Sequence, residues 1–288
     1  MIEIQTKSQG AELTSIKSNG REILHQGENV RDKNGKVFWS RQAPILFPMV
    51  GKLKDNKTII EGQEYNMTQH GFARDMEFET IKKEKNEHKY KLTYNEETLS
   101  KFPYKFELYV TYKIIENSIE VCYEVINRDS KEMLFGIGGH PAFICDYSKG
   151  NFELVFEKEE SCLKVYKLTE GLINNAPSEN IIEDGNKIKL NKHIFNEDAI
   201  IMKNLKSNKV KLIDTLAKKE ILEFDFTGFP ILAIWSKKGA PFVCIEPWFN
   251  TADSIETDGN FSSKENILKL GTNKKFNCSY KIKLYNLG

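Results

Sequence analysis

Residues 105–114 read KFELYVTYKI, and the alternation in this stretch decides the fold class. Phe106, Leu108, Val110, Tyr112 and Ile114 fall on one face of an extended chain, with Glu107, Thr111 and Lys113 on the other. A period of two marks a strand with one face buried. Glu116 and Asn117 interrupt the pattern, which restarts as Ile119, Val121, Tyr123 and Val125 alternating with Glu120 and Glu124. This second run is the return strand of a hairpin.

The same signal recurs at Phe152/Leu154/Phe156, Leu222/Phe224/Phe226 and Tyr280/Ile282/Leu284. Asn19-Gly20, Asn34-Gly35, Asp184-Gly185 and Asp258-Gly259 supply turn dipeptides that tolerate positive φ. Two runs, residues 231–235 and 241–247, are apolar without alternation, as expected of central strands covered on both faces. Helical spacing is confined to residues 96–102 and 197–205. No βαβ rhythm, internal repeat or Pro/Gly/Ser-rich linker divides the chain. These features predict an all-β antiparallel sandwich with few short helices, organised as one domain over residues 1–288.

Composition narrows the function classes. The chain has 42 Lys plus Arg against 41 Asp plus Glu, so no charge excess favours nucleic acid or an anionic membrane. The opening MIEIQTKSQGAEL lacks the basic and apolar regions of a signal peptide, and no window has the apolar length of a membrane span. A cytoplasmic protein is expected. The five cysteines, at 122, 145, 162, 244 and 278, have no metal or redox spacing. Cys122 and Cys244 lie in apolar strand-like runs and read as buried, inert thiols.

Four segments break the strand pattern with polar groups among Gly, Pro and aromatic residues: FWSRQAPILFP (38–48), QHGFARD (69–75), FGIGGHPAF (135–143) and CIEPWFNTAD (244–253). His140 follows Gly138-Gly139 and precedes Pro141, which constrains its backbone. Glu246 ends an apolar run, where desolvation raises proton affinity. Trp248 offers an aromatic face suited to the C–H surface of a pyranose. The guanidinium groups of Arg41 and Arg74 can hold vicinal hydroxyls or a phosphate. His25, His88 and His193 lack such companions and read as solvent-exposed.

Taken in this order, RQAPILFP, QHGFARD, GGHPAF and IEPW resemble the motif set of the aldose 1-epimerase (mutarotase) family, in its less characterised bacterial branch found near sugar-utilisation genes. The resemblance runs from about Arg41 to Asp253. It implies a galactose mutarotase-like supersandwich and an isomerase that interconverts α and β anomers of a hexose or hexose phosphate, with neither metal nor cofactor. By resemblance, Glu246 is the general base and His140 the general acid. His70, Arg41, Arg74 and Trp248 contact substrate, as does an Asp, taken as Asp198 with Asp225 as the alternative. The implied partner is a small aldose or aldose phosphate, with no nucleic acid or membrane, and assembly as a homodimer is left open.

Three rivals remain at this stage. Two histidines and a glutamate could ligate a metal on a cupin-like barrel, although the closely spaced His-x-His pair of cupins is missing. A non-catalytic sugar-binding or regulatory protein could keep the cleft without turnover. A glycosidase would ordinarily need two carboxylates flanking the scissile bond.

Overall fold

The structure, a computed structural model, describes residues 1–178 and 180–285. Its dominant feature is a nine-stranded sheet built around the hairpin read above. Phe106–Ile115 pairs antiparallel with Ser118–Asn127, Ser118 opposite Ile115. Further strands extend the sheet on both sides, from Lys187–Leu190 at one edge to Glu79–Glu84 at the other. Along the hairpin Phe106, Leu108, Val110, Ile119, Val121 and Val125 are wholly buried, while Glu107, Glu120 and Glu124 remain partly exposed.

A second, seven-stranded sheet packs across this apolar face. Its order is Val165–Tyr166, Ile200–Lys203, Ile231–Trp235, Phe242–Trp248, Gly138–Gly139 and Ile45–Leu46, and Ala142–Ile144 also pairs with Phe242–Trp248. Val243, Ile245, Leu232, Ile234, Ile200 and Met202 meet the nine-stranded sheet in one continuous core. The result is an all-β antiparallel sandwich, as expected. The two unpatterned apolar runs are indeed its central strands, buried on both faces.

Close approach of the sheets explains one glycine. A Cβ at Gly139 would lie 2.7 Å from the Tyr280 ring, so only glycine lets this strand settle onto the core. The residue that follows, His140, emerges on the opposite side.

One α-helix, Glu96–Lys101, occurs among the described residues, where helical spacing predicts it. Its N-terminus is closed by a capping box in which Thr98 N–H donates to Asn95 Oδ1 at 2.9 Å and Asn95 N–H donates to Thr98 Oγ1 at 2.8 Å. The second expected helix is corrected: within residues 197–205 the chain forms the strand Ile200–Lys203. Ile200 and Met202 face the core and Ile201 the other side, so a strand covered on both faces imitates helical spacing. Among the described residues no helix is long and apolar enough to cross a membrane.

Candidate active site

The site is built on the face of the seven-stranded sheet that points away from the core. Alternation along Phe242–Trp248 sends Val243 and Ile245 into the core and Cys244, Glu246 and Trp248 to the opposite face. Small residues flank them: Ala233 lies opposite Glu246, Ala142 opposite Cys244, and Gly138 opposite Trp248. This leaves room above a strand floor for a cavity of about 500 Å³. His70, Arg74, His140, Asp198, Glu246 and Trp248 all line it.

At its floor His140 Nε2 lies 3.2 Å from Glu246 Oε2, with both side chains almost fully buried. Burial raises the Glu246 pKa well above the ordinary carboxylate range, and the negative charge of Asp198 raises it further. The Trp248 indole N–H opposes this rise from nearby, but it does not reach hydrogen-bond geometry and has no partner within the protein. Burial and the Arg74 charge push the His140 pKa down to about 3. The pair therefore avoids charge separation in the ligand-free site. Both side chains favour their neutral forms, which leaves one transferable proton on the Glu246 carboxyl facing His140 Nε2.

His70 is held differently. It adopts φ 68°, a left-handed conformation that costs a non-glycine residue on the order of 1 kcal/mol. Two contacts fix it: its amide donates to Gly51 O at 2.7 Å, and Gly51 N–H donates to its Nδ1 at 3.1 Å. An Nδ1 that accepts carries no proton, so the neutral ring carries its proton on Nε2. Burial and the Arg74 charge hold the His70 pKa well below its usual value. Its ring stands edge-on to that of His140, with centroids 5.5 Å apart.

Aromatic packing fixes the His140 ring. Trp39 stacks on it at 4.9 Å and 29°, and Trp235 meets it edge-on at 5.7 Å. Trp39 is braced in turn by His25, whose Nε2–H donates to the Trp39 carbonyl at 3.0 Å. Sequence reasoning did not single out Trp39 or Trp235. The available signal was Trp39 within FWSRQAPILFP, two residues before Arg41.

The two arginines divide their roles. Arg74 lines the cavity, donates from Nη2 to Gln69 O at 2.6 Å, and keeps Nε without a hydrogen-bond partner. Burial and the neighbouring Arg41 lower its pKa to about 10. Arg41 stands behind it, ion-paired to Asp75 at 2.7 Å and outside the cavity lining. Asp198 reaches the cavity rim with φ 73°, its carboxylate accepting from Ala199 N–H at 2.9 Å. The alternative, Asp225, is set aside, because it ends a strand of the nine-stranded sheet opposite Lys281 and accepts from Thr227.

Two of the remaining histidines are corrected from the expectation of exposure. His25 is 1% exposed and packs between Trp39 and Phe242, and His88 is 7% exposed with Nδ1 2.7 Å from Thr6 Oγ1. Their sequence neighbours are polar, but their spatial neighbours come from distant strands. His193 is exposed as expected.

The sequence profile described as aldose 1-epimerase matches residues 2–281. The chain belongs to the aldose 1-epimerase family. It is 33% identical to the plasmid-encoded and chromosomal LacX proteins of Lactococcus lactis subsp. lactis, covering 99% of this chain and 97% of each relative. It is similar to a galactose mutarotase related enzyme from Lactobacillus acidophilus, with 32% identity, TM-score 0.88 and coverage of 99% and 95% of the two chains. A galactose mutarotase-like protein from Lactobacillus casei ATCC 334 gives 30% identity and TM-score 0.90, with 99% and 97% covered. Membership of the aldose 1-epimerase family and its mutarotase-like sandwich replace the cupin-like barrel as the frame for the His and Glu side chains.

Among the described residues, one group has donor atoms grouped closely enough to hold a metal ion. His140, Cys244 and Glu246 place one ligand atom each within 4.8 Å of one another. Cys244 is fully buried, as expected, and burial pushes its thiol pKa well up.

Proposed function

We propose that this protein interconverts the α and β anomers of an aldose, free or phosphorylated, by acid–base ring opening at Glu246 and His140. The observation that carries this reading is their 3.2 Å pairing at the floor of a polar cavity. O1 and O5 of an aldopyranose are both bonded to C1, so the base for one and the acid for the other must converge on one carbon. Two side chains that face each other at 3.2 Å on the cavity floor meet that requirement.

The proton inventory fits as well. Moving the shared proton from Glu246 to His140 creates a carboxylate base and an imidazolium acid without exchange with solvent. Glu246 then takes the proton from O1 while His140 gives its proton to O5. The C1–O5 bond breaks and C1=O1 forms, C1–C2 rotates, and closure on the other carbonyl face runs the transfers in reverse. His70 Nε2–H is a fixed donor to a substrate oxygen. Asp198 accepts from hydroxyls at the rim, and Trp248 offers its buried N–H. Arg41 acts at one remove, through Asp75 and the backbone carbonyl of Arg74, which accepts from Arg41 Nη1 at 3.4 Å.

A phosphorylated aldose is favoured by one specific observation. Arg74 lines the cavity with its Nε making no hydrogen bond, 3.8 Å from Asp75 Oδ2, and Lys237 and Lys238 border the same space. Exchange NMR on a panel of free and phosphorylated aldoses tests both levels of the proposal. Cross-peaks between anomers on adding protein support ring opening, and a response restricted to phosphosugars assigns Arg74 to the phosphate. Binding of an aldose without faster exchange across the panel would favour a sugar-binding protein that does not turn over.

A further inference from the structure

Cys244 serves no step of the proposed reaction, yet it lies under both reacting groups. We propose that His140, Cys244 and Glu246 also form a binding site for a thiophilic divalent cation such as Zn²⁺, and that the cation and the aldose exclude one another.

The argument starts from strand geometry. Cys244 and Glu246 are two residues apart on one strand, so both side chains leave on the same face. Ala142 pairs with Cys244, and His140 lies two residues before Ala142, which brings the imidazole over the thiol and carboxylate. The three ligand atoms lie within 4.8 Å of one another, with His140 Nε2 and Glu246 Oε2 at 3.2 Å. Zinc bonds of about 2.0–2.3 Å to N, O and S put tetrahedral ligands roughly 3.3–3.7 Å apart. The most separated pair of donors needs to close by no more than about 1.5 Å to reach that spacing. Imidazole, thiolate and carboxylate are a donor set that suits zinc and cobalt better than magnesium or calcium.

Coordination is also left incomplete in a useful direction. His140 and Glu246 line the cavity, whereas Cys244 lies beneath its lining, so three protein ligands sit on one side and the fourth position faces the cleft. The Trp248 indole N–H, buried beside Glu246 without a protein partner, is placed to donate to an oxygen held there. A cation at this point occupies the donor atoms that ring opening requires, so metal and sugar compete.

Titration with Co²⁺ tests the site without using turnover. One equivalent should produce tetrahedral visible bands and a near-ultraviolet thiolate-to-cobalt band, and Zn²⁺ should bleach both. Outer-shell changes weaken metal sites about 10- to 100-fold, so loss of a ligand in Cys244→Ser or Cys244→Ala should weaken binding at least that much and erase the thiolate band. His140→Gln should also weaken Co²⁺ binding while leaving any residual thiolate band. A cobalt spectrum without the thiolate band, or equal affinity in the cysteine variants, overturns the site. Competition rests on the proposed function: Zn²⁺ should inhibit anomer exchange competitively with aldose, and Cys244→Ser should relieve inhibition while keeping the metal-free rate. Where no aldose is turned over at all, the Co²⁺ bands still decide the metal site.

Discussion

The two sheets bury one face each against the other, and they differ in what covers the second face. The outer face of the nine-stranded sheet is solvated and carries cross-strand charge pairs such as Lys91–Glu107 and Glu120–Lys281. The outer face of the seven-stranded sheet is closed by loops over Leu46, Ile201, Ala233 and Trp248, all buried, and the cavity opens within that cover. Charge on the first face meets water, which screens each pair, so a single pair contributes little to stability. Charge on the second face meets protein, where each ionisable group changes stability, protonation and reactivity together.

Glu246→Gln is the sharpest test of that contrast. Removing a general base lowers kcat/KM by about 10²–10⁴, which corresponds to roughly 3–5 kcal/mol of transition-state stabilisation. Stability should move the other way. A carboxyl whose folded pKa is raised contributes stability at low pH that is lost as pH rises through the folded value, so at neutral pH Glu246 is a destabilising residue. The amide keeps the shape and stays neutral without having to hold a proton, and the variant should melt at a higher temperature at neutral pH while losing exchange activity in polarimetry. Wild-type exchange in this variant would remove Glu246 from the chemistry, and a lower melting temperature would remove the charge argument.

A second buried charge lies at the edge of the same cover. Lys264 Nζ donates to Asp253 Oδ1 at 2.6 Å with both side chains about 97% buried, and Asp253 Oδ2 accepts from Lys54 N–H at 3.0 Å. Asp253 also follows the segment that carries Glu246 and Trp248. Breaking a buried pair from one side leaves an uncompensated charge, at a cost of about 3–5 kcal/mol. Asp253→Asn should lose that much in urea unfolding. A loss below 1 kcal/mol would mean that this end of the cover is as solvated as the outer face of the other sheet.

This contrast also explains what the sequence made legible. Strands of the nine-stranded sheet show themselves by alternation because water on one side demands Glu120 and Glu124 between Val121, Tyr123 and Val125. Central strands of the seven-stranded sheet have no such demand, which is why Phe242–Trp248 reads as an apolar run and Ile200–Lys203 imitates a helix. His70, His140 and Glu246 were legible only through their motifs, since they come from segments far apart in sequence, and Asp198, outside every motif, could not be separated from Asp225. Trp39 over His140, and the separation of Arg41 from the cavity by Arg74 and Asp75, depend on loop geometry that no local pattern encodes.

The buried histidines give a smaller, pH-dependent effect. His140 has a folded pKa of about 3 against an unfolded value near 6.5, so it contributes stability that is present above about pH 6.5 and is lost as pH falls toward 3. His70, also lowered, has the same sign. Glu246 has the opposite sign, so the measurement belongs in Glu246→Gln. Urea unfolding of that variant should lose on the order of 1 kcal/mol per histidine between neutral pH and about pH 5.5. A flat profile would show that the imidazoles protonate in the folded protein as freely as in the unfolded chain.

The smallest effect is expected on the solvated face. Glu120 and Lys281 sit directly opposite each other on paired strands, with Nζ 3.6 Å from Oε1, the geometry that helps most across a sheet. The lysine side chain is half exposed, water competes for both charges, and ordering a long side chain opposes the attraction. Lys281→Ala should therefore cost only about 0.2–1 kcal/mol and leave anomer exchange unchanged, with most of the loss removed by high salt. A loss as large as that of Asp253→Asn would mean that the outer face of the nine-stranded sheet is covered in solution by a further contact, and the two sheets would then no longer differ in the way that explains where the site is.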